Sequence, residues 1–303
     1  MSDAAFWGDQ AAVLAREGRD AEAEAALRAG LAALPGHPIL AHMLGCQLLA
    51  RGAFAEGWAL YEYRRLMPKG PRAPAMSFPE WGGEPVASLL VLPEQGLGDQ
   101  ILFARWLPAL VARGVRVTLA APPALARLFA PLGVEILPIE GPVRLPRADA
   151  WCFLGSLPWR RGVTVTEPYL PAGAGGGGIG LMLRGGPDAA ELRDLPTDQA
   201  RRLAALGRSL HPDQTGAGDF ADTAAIIAGL DLVITVDTSV ANLAGAMGKP
   251  AWVLLGPSPD WRWGREAERA ALYPSVRLFR QPTRGDWAGV VDAVLAAAAA
   301  MRA

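Results

Sequence analysis

Cysteine is almost absent from this 303-residue chain, and the two that occur, Cys46 and Cys152, stand in apolar surroundings without motif spacing. A disulfide scaffold and a cysteine metal site are thereby excluded. Histidine is as scarce: His37, His42 and His211 are too scattered for a zinc constellation, so no metal is expected. Among 29 basic residues only Lys69 and Lys249 are lysines, which leaves arginine or backbone N–H groups to meet any anion. The net charge of −1 gives no electrostatic case for a nucleic-acid partner. The opening residues lack the basic and apolar regions of a signal peptide. No charge-free run is long enough for a transmembrane segment, the alanine-rich tail included. The expectation is a soluble, cytoplasmic protein.

What is present is a packed composition, with 51% hydrophobic and 19% charged residues. The stretch Asp231 to Leu255 carries the clearest grammar. Leu232 to Thr235 is an apolar, β-branched run of the kind buried on both faces of a sheet. Asp237, Thr238 and Ser239 then offer helix N-cap chemistry, Val240 to Met247 has helical spacing, and Gly248 stops it. A helix entered this way from a strand points backbone N–H groups at whatever lies above the sheet, a setting that attracts phosphate. An ordinary, well-capped βαβ crossover satisfies the same pattern.

Residues 1–68 show no strand signal but do show a repeat. Gly18 to Ala23 matches Gly52 to Gly57 at a spacing of 34 residues, the tetratricopeptide period, with Leu44-Gly45, Tyr61 and Pro35 at fitting positions. Two such units cannot bury their own faces, so they must lean on the rest of the chain or on another protein. One reading docks a protein acceptor or a second copy of the chain, as in a homodimer. The other makes the segment a helical lid on the core. Residues 69–86, rich in Pro and Gly, read as a linker pinned by Trp81.

From Ser88 strands and helices alternate. Strands are expected at Ser88 to Leu92, Val115 to Ala120, Val134 to Pro138 and Asp149 to Leu154, with helices at Ile101 to Arg113 and Pro122 to Pro131. Gly173 to Gly178 reads as a flexible hinge, after which the rhythm restarts at Ile179. The fold class is α/β: two Rossmann-like domains, 87–172 and 179–303, preceded by an all-α segment.

Two phosphate-loop readings fail on spacing. Gly96-Leu97-Gly98-Asp99-Gln100 has no third glycine where a dinucleotide fingerprint needs it. Gly245 to Lys249 is followed by Pro250 where a Walker loop has Ser or Thr. Asp99 is either a helix cap or a base facing a cleft.

The combination of GLGD, seven residues and Leu107-Pro108 with Val236-Asp237-Thr238 and Leu243-Ala244-Gly245-Ala246 resembles the heptosyltransferase-related glycosyltransferases of the GT-B fold, in particular the bacterial group with tetratricopeptide repeats ahead of the transferase. Asp219 to Ala224, Asp260-Trp261-Arg262-Trp263, Tyr273-Pro274, Val276 to Pro282 and Gly285 to Trp287 match as well. The resemblance implies transfer of a sugar from a nucleotide-sugar donor to a protein or glycan acceptor, with no cofactor. It implies Asp99 as catalytic base, with Glu94 as the alternative. It also implies donor contacts from Asp237, Thr238, Ser239, Asn242, Arg184 and Arg193, and an acceptor-side loop of Gln95, Gly96, Gly98 and Gln100. Asn242 stands where the family has histidine, and the 184–218 region is altered and shortened. The second reading is an inactive relative that serves as an interaction module through its repeats.

Overall fold

The computed structural model describes residues 3–162, 165–185, 194–256, 259–265 and 268–302. The chain begins with four helices, α1 (Asp3–Arg16), α2 (Asp20–Ala33), α3 (Pro38–Ala50) and α4 (Phe54–Tyr61), and a 3-10 turn, Glu62–Leu66. Pro38 opens α3 at a position where its missing N–H costs nothing. The helices pack α1 on α2, α2 on α3 and α3 on α4. Part of their remaining apolar face is covered by the rest of the chain, while Phe6, Val13 and Ile39 stay exposed. Trp58 and Tyr61 meet Phe103, Trp106 and Trp261 in one aromatic cluster with ring centroids 5.3 to 6.5 Å apart. The segment therefore leans on the rest of its own chain.

The first sheet contains β1 (Ser88–Leu92), β2 (Arg116–Ala121), β3 (Glu135–Pro138) and β4 (Ala150–Phe153), all parallel, in the order β3-β2-β1-β4. Every residue of β1 is buried, as its unbroken apolar run requires. The Pro/Gly-rich linker lies along β4, where Trp81 N–H donates to the Trp151 carbonyl at 2.7 Å and Trp81 is buried. The single helix expected at Ile101 to Arg113 is two, α5 (Leu97–Ala104) and α6 (Leu107–Val111). Pro108 cannot donate to the preceding turn, so the helix breaks before it. Next come α7 (Pro123–Phe129) and α8 (Leu157–Arg161).

The second sheet has the order β6-β5-β7-β8-β10-β9, built from β5 (Ile179–Met182), β6 (Arg208–Ser209), β7 (Leu232–Val236), β8 (Ala251–Leu255), β9 (Arg269–Ala270) and β10 (Tyr273–Arg280). Only β9 is antiparallel. Its helices are α9 (Thr197–Ala204), α10 (Pro212–Thr215), α11 (Phe220–Ala228), α12 (Ser239–Ala246) and α13 (Trp287–Arg302). Strand β10 has no counterpart in the sequence reading. Its buried positions are broken by Arg277 and Arg280, so the apolar run is short.

The glycine run is not a free hinge. Gly176 and Gly178 N–H groups donate to the Asp231 carboxylate at 2.6 and 2.9 Å. A side chain at Gly177 would meet the Gly229 carbonyl oxygen at 2.3 Å, so glycine here permits close packing on the second sheet.

Arg64, on the 3-10 turn, is bound by Glu94 at the end of β1 through Nε (2.8 Å) and Nη2 (2.6 Å), and Glu94 Oε1 also accepts from Gly155 N–H at 2.7 Å. Both side chains are sealed from water, at 3% and 0% exposure. Arg64→Met leaves Glu94 buried without its counter-charge and is expected to cost about 3–5 kcal/mol. Arg64→Met with Glu94→Met should recover most of that loss in urea titrations; equal loss in both variants would show that the pair is not what joins the helices to the sheet.

Candidate functional site

In each sheet the strand order reverses beside the strand whose loop forms the site. Chain order runs outward from β1 through β2 and β3, then returns to β4 on the other side, and β5 is flanked likewise by β6 and β7. Ligands of open α/β sheets lie at the carboxyl ends of strands at such points. After β1 the loop 93–96 feeds α5, and after β7 Asp237 and Thr238 feed α12. The helices α5 and α12 pack against each other. Gly98 permits this: a Cβ there would sit 3.0 Å from Asn242 Nδ2 and 3.3 Å from the Ser239 Cα.

Both helix starts open on one cavity of about 570 Å³. Gln95, Gly96, Gly98, Asp99, Asp237, Thr238, Ser239 and Asn242 line it, together with Asp260 and Arg262. The helical segment and linker supply the remaining wall, through His42, Cys46, Tyr61, Arg64 and Lys69. Local sequence pattern marks no part of that segment as a cavity wall, and neither loop lining the cleft contains a histidine. His42 enters the cavity from α3 instead.

The carboxylate of Asp99 is engaged on both oxygens. Oδ2 accepts from Gly96 N–H at 3.0 Å, closing a capping arrangement at the start of α5, and Oδ1 is ion-paired with Arg262 Nη2. Arg262 is 9% exposed. Its Nε donates to Asp260 Oδ1 at 2.8 Å, and its Nη1 lies 3.4 Å from Asn242 Oδ1. Burial opposes the guanidinium charge, but the carboxylates of Asp260 and Asp99 outweigh it and hold its pKa well above the ordinary arginine value. In the sequence, Arg262 is signalled only by its place within Asp260-Trp261-Arg262-Trp263.

Thr238 stands at the N-cap of α12, yet its hydroxyl is not spent on the cap and pairs with the Thr235 hydroxyl at 3.0 Å. Gln95 has φ of +60°, a left-handed backbone that turns its side chain onto the Tyr61 hydroxyl, within 3.1 Å.

Three expected residues fall elsewhere. Glu94 does not line the cavity, because its carboxylate is consumed by Arg64 and Gly155. Gln100 is buried at 6% exposure, behind the loop. Arg184 lies 59% exposed near Asp213 and His211, on a separate cavity beyond β5. Its strand lies next to β7, and from there the side chain reaches the α10 region. Arg193 lies outside the described residues.

No family model matches the chain. Among curated proteins it is similar to Protein FlbA of Caulobacter vibrioides, 28% identical over 342 aligned positions that cover 88% of this chain and 56% of that protein. The chain thus spans about half the length of that relative. Two solved structures align at lower similarity. One is the E. coli ADP-heptose lps heptosyltransferase II, 14% identical with a TM-score of 0.45, covering 71% of this chain and 100% of that one. The other is the E. coli heptosyltransferase WaaC with ADP, 12% identical with a TM-score of 0.46, covering 69% and 99%. Among the described residues, no helix is long and apolar enough to cross a membrane.

Two outcomes follow from this geometry. Burial, and secondarily the Arg64 charge, lower the His42 pKa. A depressed pKa gives stability that is full above the ordinary imidazole value, about 6.5, and is lost as pH falls through the folded value. His42→Leu is expected to flatten that acid limb in thermal melts between neutral and acidic pH; an unchanged limb would assign it to other groups. Gly98→Ala is expected to cost about 1–3 kcal/mol by forcing α5 and α12 apart, read as a lower denaturation midpoint, and an unchanged midpoint would mean that the contact yields freely.

Proposed function

We propose that this chain is a glycosyltransferase of GT-B arrangement, moving a sugar from a nucleotide-sugar donor to a protein or glycan acceptor. One observation carries the reading: the N-terminal ends of two helices, each following a central strand of a different parallel sheet, open on one polar cavity. The second-sheet side, residues 179–303, is the proposed donor domain. Ser239 and its neighbours would turn N–H groups to the diphosphate, with charge developing on the leaving group met by those groups and by arginine. The first-sheet side, 87–172, is the proposed acceptor domain. The 34-residue spacing supports reading residues 1–68 as two tetratricopeptide-like units, here closing the cavity.

In the proposed reaction the acceptor hydroxyl oxygen bonds to the anomeric carbon of the sugar. The bond from that carbon to the phosphate oxygen breaks, and the nucleoside diphosphate leaves with the electron pair. The acceptor proton passes to Asp99, the proposed base. An inactive, interaction-only relative is the second reading, and the engagement of both Asp99 oxygens favours it.

A thermal-shift screen with nucleoside diphosphates and nucleotide sugars tests donor binding, since a ligand at ~100 times its Kd stabilises by about 2.7 kcal/mol. With the donor so found, Asp99→Asn is expected to lower transfer by roughly a hundredfold or more, the common contribution of a general base. Transfer at the parental rate would reduce Asp99 to a cap. Donor binding without transfer or donor hydrolysis in the parent would favour the inactive reading.

A further inference from the structure

We infer that Arg262 is the phosphate-binding arginine of the cavity and that Asp99 competes with the ligand for it, so that entry of a diphosphate releases Asp99. The inference rests on the transferase reading and deepens it by naming the group that couples the donor side to Asp99.

Among the described residues, the arginine and lysine side chains that line the cavity are Arg64, Lys69 and Arg262. Arg64 is not available to a ligand, because Glu94 holds two of its nitrogens and Glu62 holds Nη1. Lys69 stands exposed at the linker, on the rim. Arg262 is different in kind. Asp260 fastens its Nε edge and accepts from the Arg262 N–H at 3.1 Å, so the arginine is anchored from behind by its own 3-10 turn. Its two terminal nitrogens form a fork held by other elements. Nη1 is only weakly held, at 3.4 Å, by the side-chain oxygen of Asn242 in α12. Nη2 is held by Asp99 of α5. A planar guanidinium fork fixed at its Nε edge suits two phosphate oxygens. Asn242 lies in the first half of α12, so a diphosphate at the start of that helix is within the space the fork faces.

The electrostatics favour exchange. A buried guanidinium needs a counter-charge, and in the free protein Asp260 and Asp99 provide it. A diphosphate carries more negative charge than one carboxylate and accepts at both Nη1 and Nη2. Once it takes the fork, Asp99 keeps only the Gly96 N–H and its Oδ1 turns to the cavity, where an acceptor hydroxyl would stand. The carboxylate is thus sequestered in the absence of donor and exposed in its presence.

Competition for one guanidinium has a signature that a plain cap or a plain structural ion pair lacks. Asp99→Asn removes the competitor and retains the shape, so nucleoside diphosphate should bind about five- to tenfold more tightly than to the parent, although transfer falls. Arg262→Lys keeps the charge but loses the fork and should weaken binding by about tenfold or more. In the Arg262→Lys background, the gain from Asp99→Asn should shrink to less than half on the logarithmic scale. Calorimetric titration of ADP, UDP and GDP into the four proteins, each checked for a parental circular dichroism spectrum, reads all three quantities. Should Arg262→Lys not fold, the comparison moves to Asp260→Asn, which loosens the Nε anchor and is expected to weaken binding in its turn. Unchanged or weaker binding by Asp99→Asn, or an equal gain with and without Arg262, would overturn the inference while the transferase reading stands. Failure of the parent to bind any of the nucleotides would overturn both.

Discussion

A guanidinium taken out of water must find its counter-charge inside the protein, and Arg262 finds it in the carboxylates of Asp260 and Asp99. Asp260 supplies one carboxylate from the same 3-10 turn, Asp99 a second from α5, and Asn242 an amide oxygen from α12. Because desolvation penalises any arrangement that leaves this charge unpaired, the positions of the two helix starts are not independent of each other. The cavity between them is the space left once that requirement is met.

The same physics recurs along the seam. Arg105, 1% exposed, spans it by donating to the carbonyls of Val165 and Leu272 at 2.7 and 2.6 Å, with its guanidinium 4.4 Å from the Tyr273 ring. Arg64 does so between the helical segment and β1. At the surface, Arg127 of α7 reaches Asp219 and Asp222 at the start of α11. Aromatic packing fills the volume between these charges, with Trp58, Phe103, Trp106 and Trp261 drawn from all three parts of the chain. Large ring areas removed from water contribute the favourable term, and the buried arginines set which surfaces can meet.

This arrangement changes what the helical segment is. Considered alone, two helix pairs present an unfinished face that needs a partner. In the folded chain that face is finished by α5 and by the turn at Trp261, and its residues His42, Tyr61 and Arg64 become part of a cavity that local pattern would assign to the two sheets alone. The proposed chemistry is therefore bounded on three sides by elements far apart in sequence.

Local pattern was enough for the parallel strands whose apolar run is unbroken. Ser88–Leu92 could be read to the residue, because a strand buried on both faces is an unbroken apolar run and its ends are marked by polar or turn-forming residues. The helix start at Asp99 was legible for a similar reason, since a capping carboxylate acts within a few positions of itself, whereas at Thr238 the helix begins as expected but the hydroxyl pairs with Thr235 instead of capping. Strand β10 was not legible, since Arg277 and Arg280 interrupt its apolar pattern, and only in the folded chain does Arg280 Nη2 meet the Trp263 carbonyl. Nor could sequence separate the fates of Asp99 and Glu94, both acidic and five residues apart. Only the packed structure decided that Glu94 is spent on Arg64 and that Asp99 faces Arg262 across 163 residues of chain. Pairing of buried charges depends on which surfaces close against each other, and that information is carried by the whole core rather than by spacing along the chain.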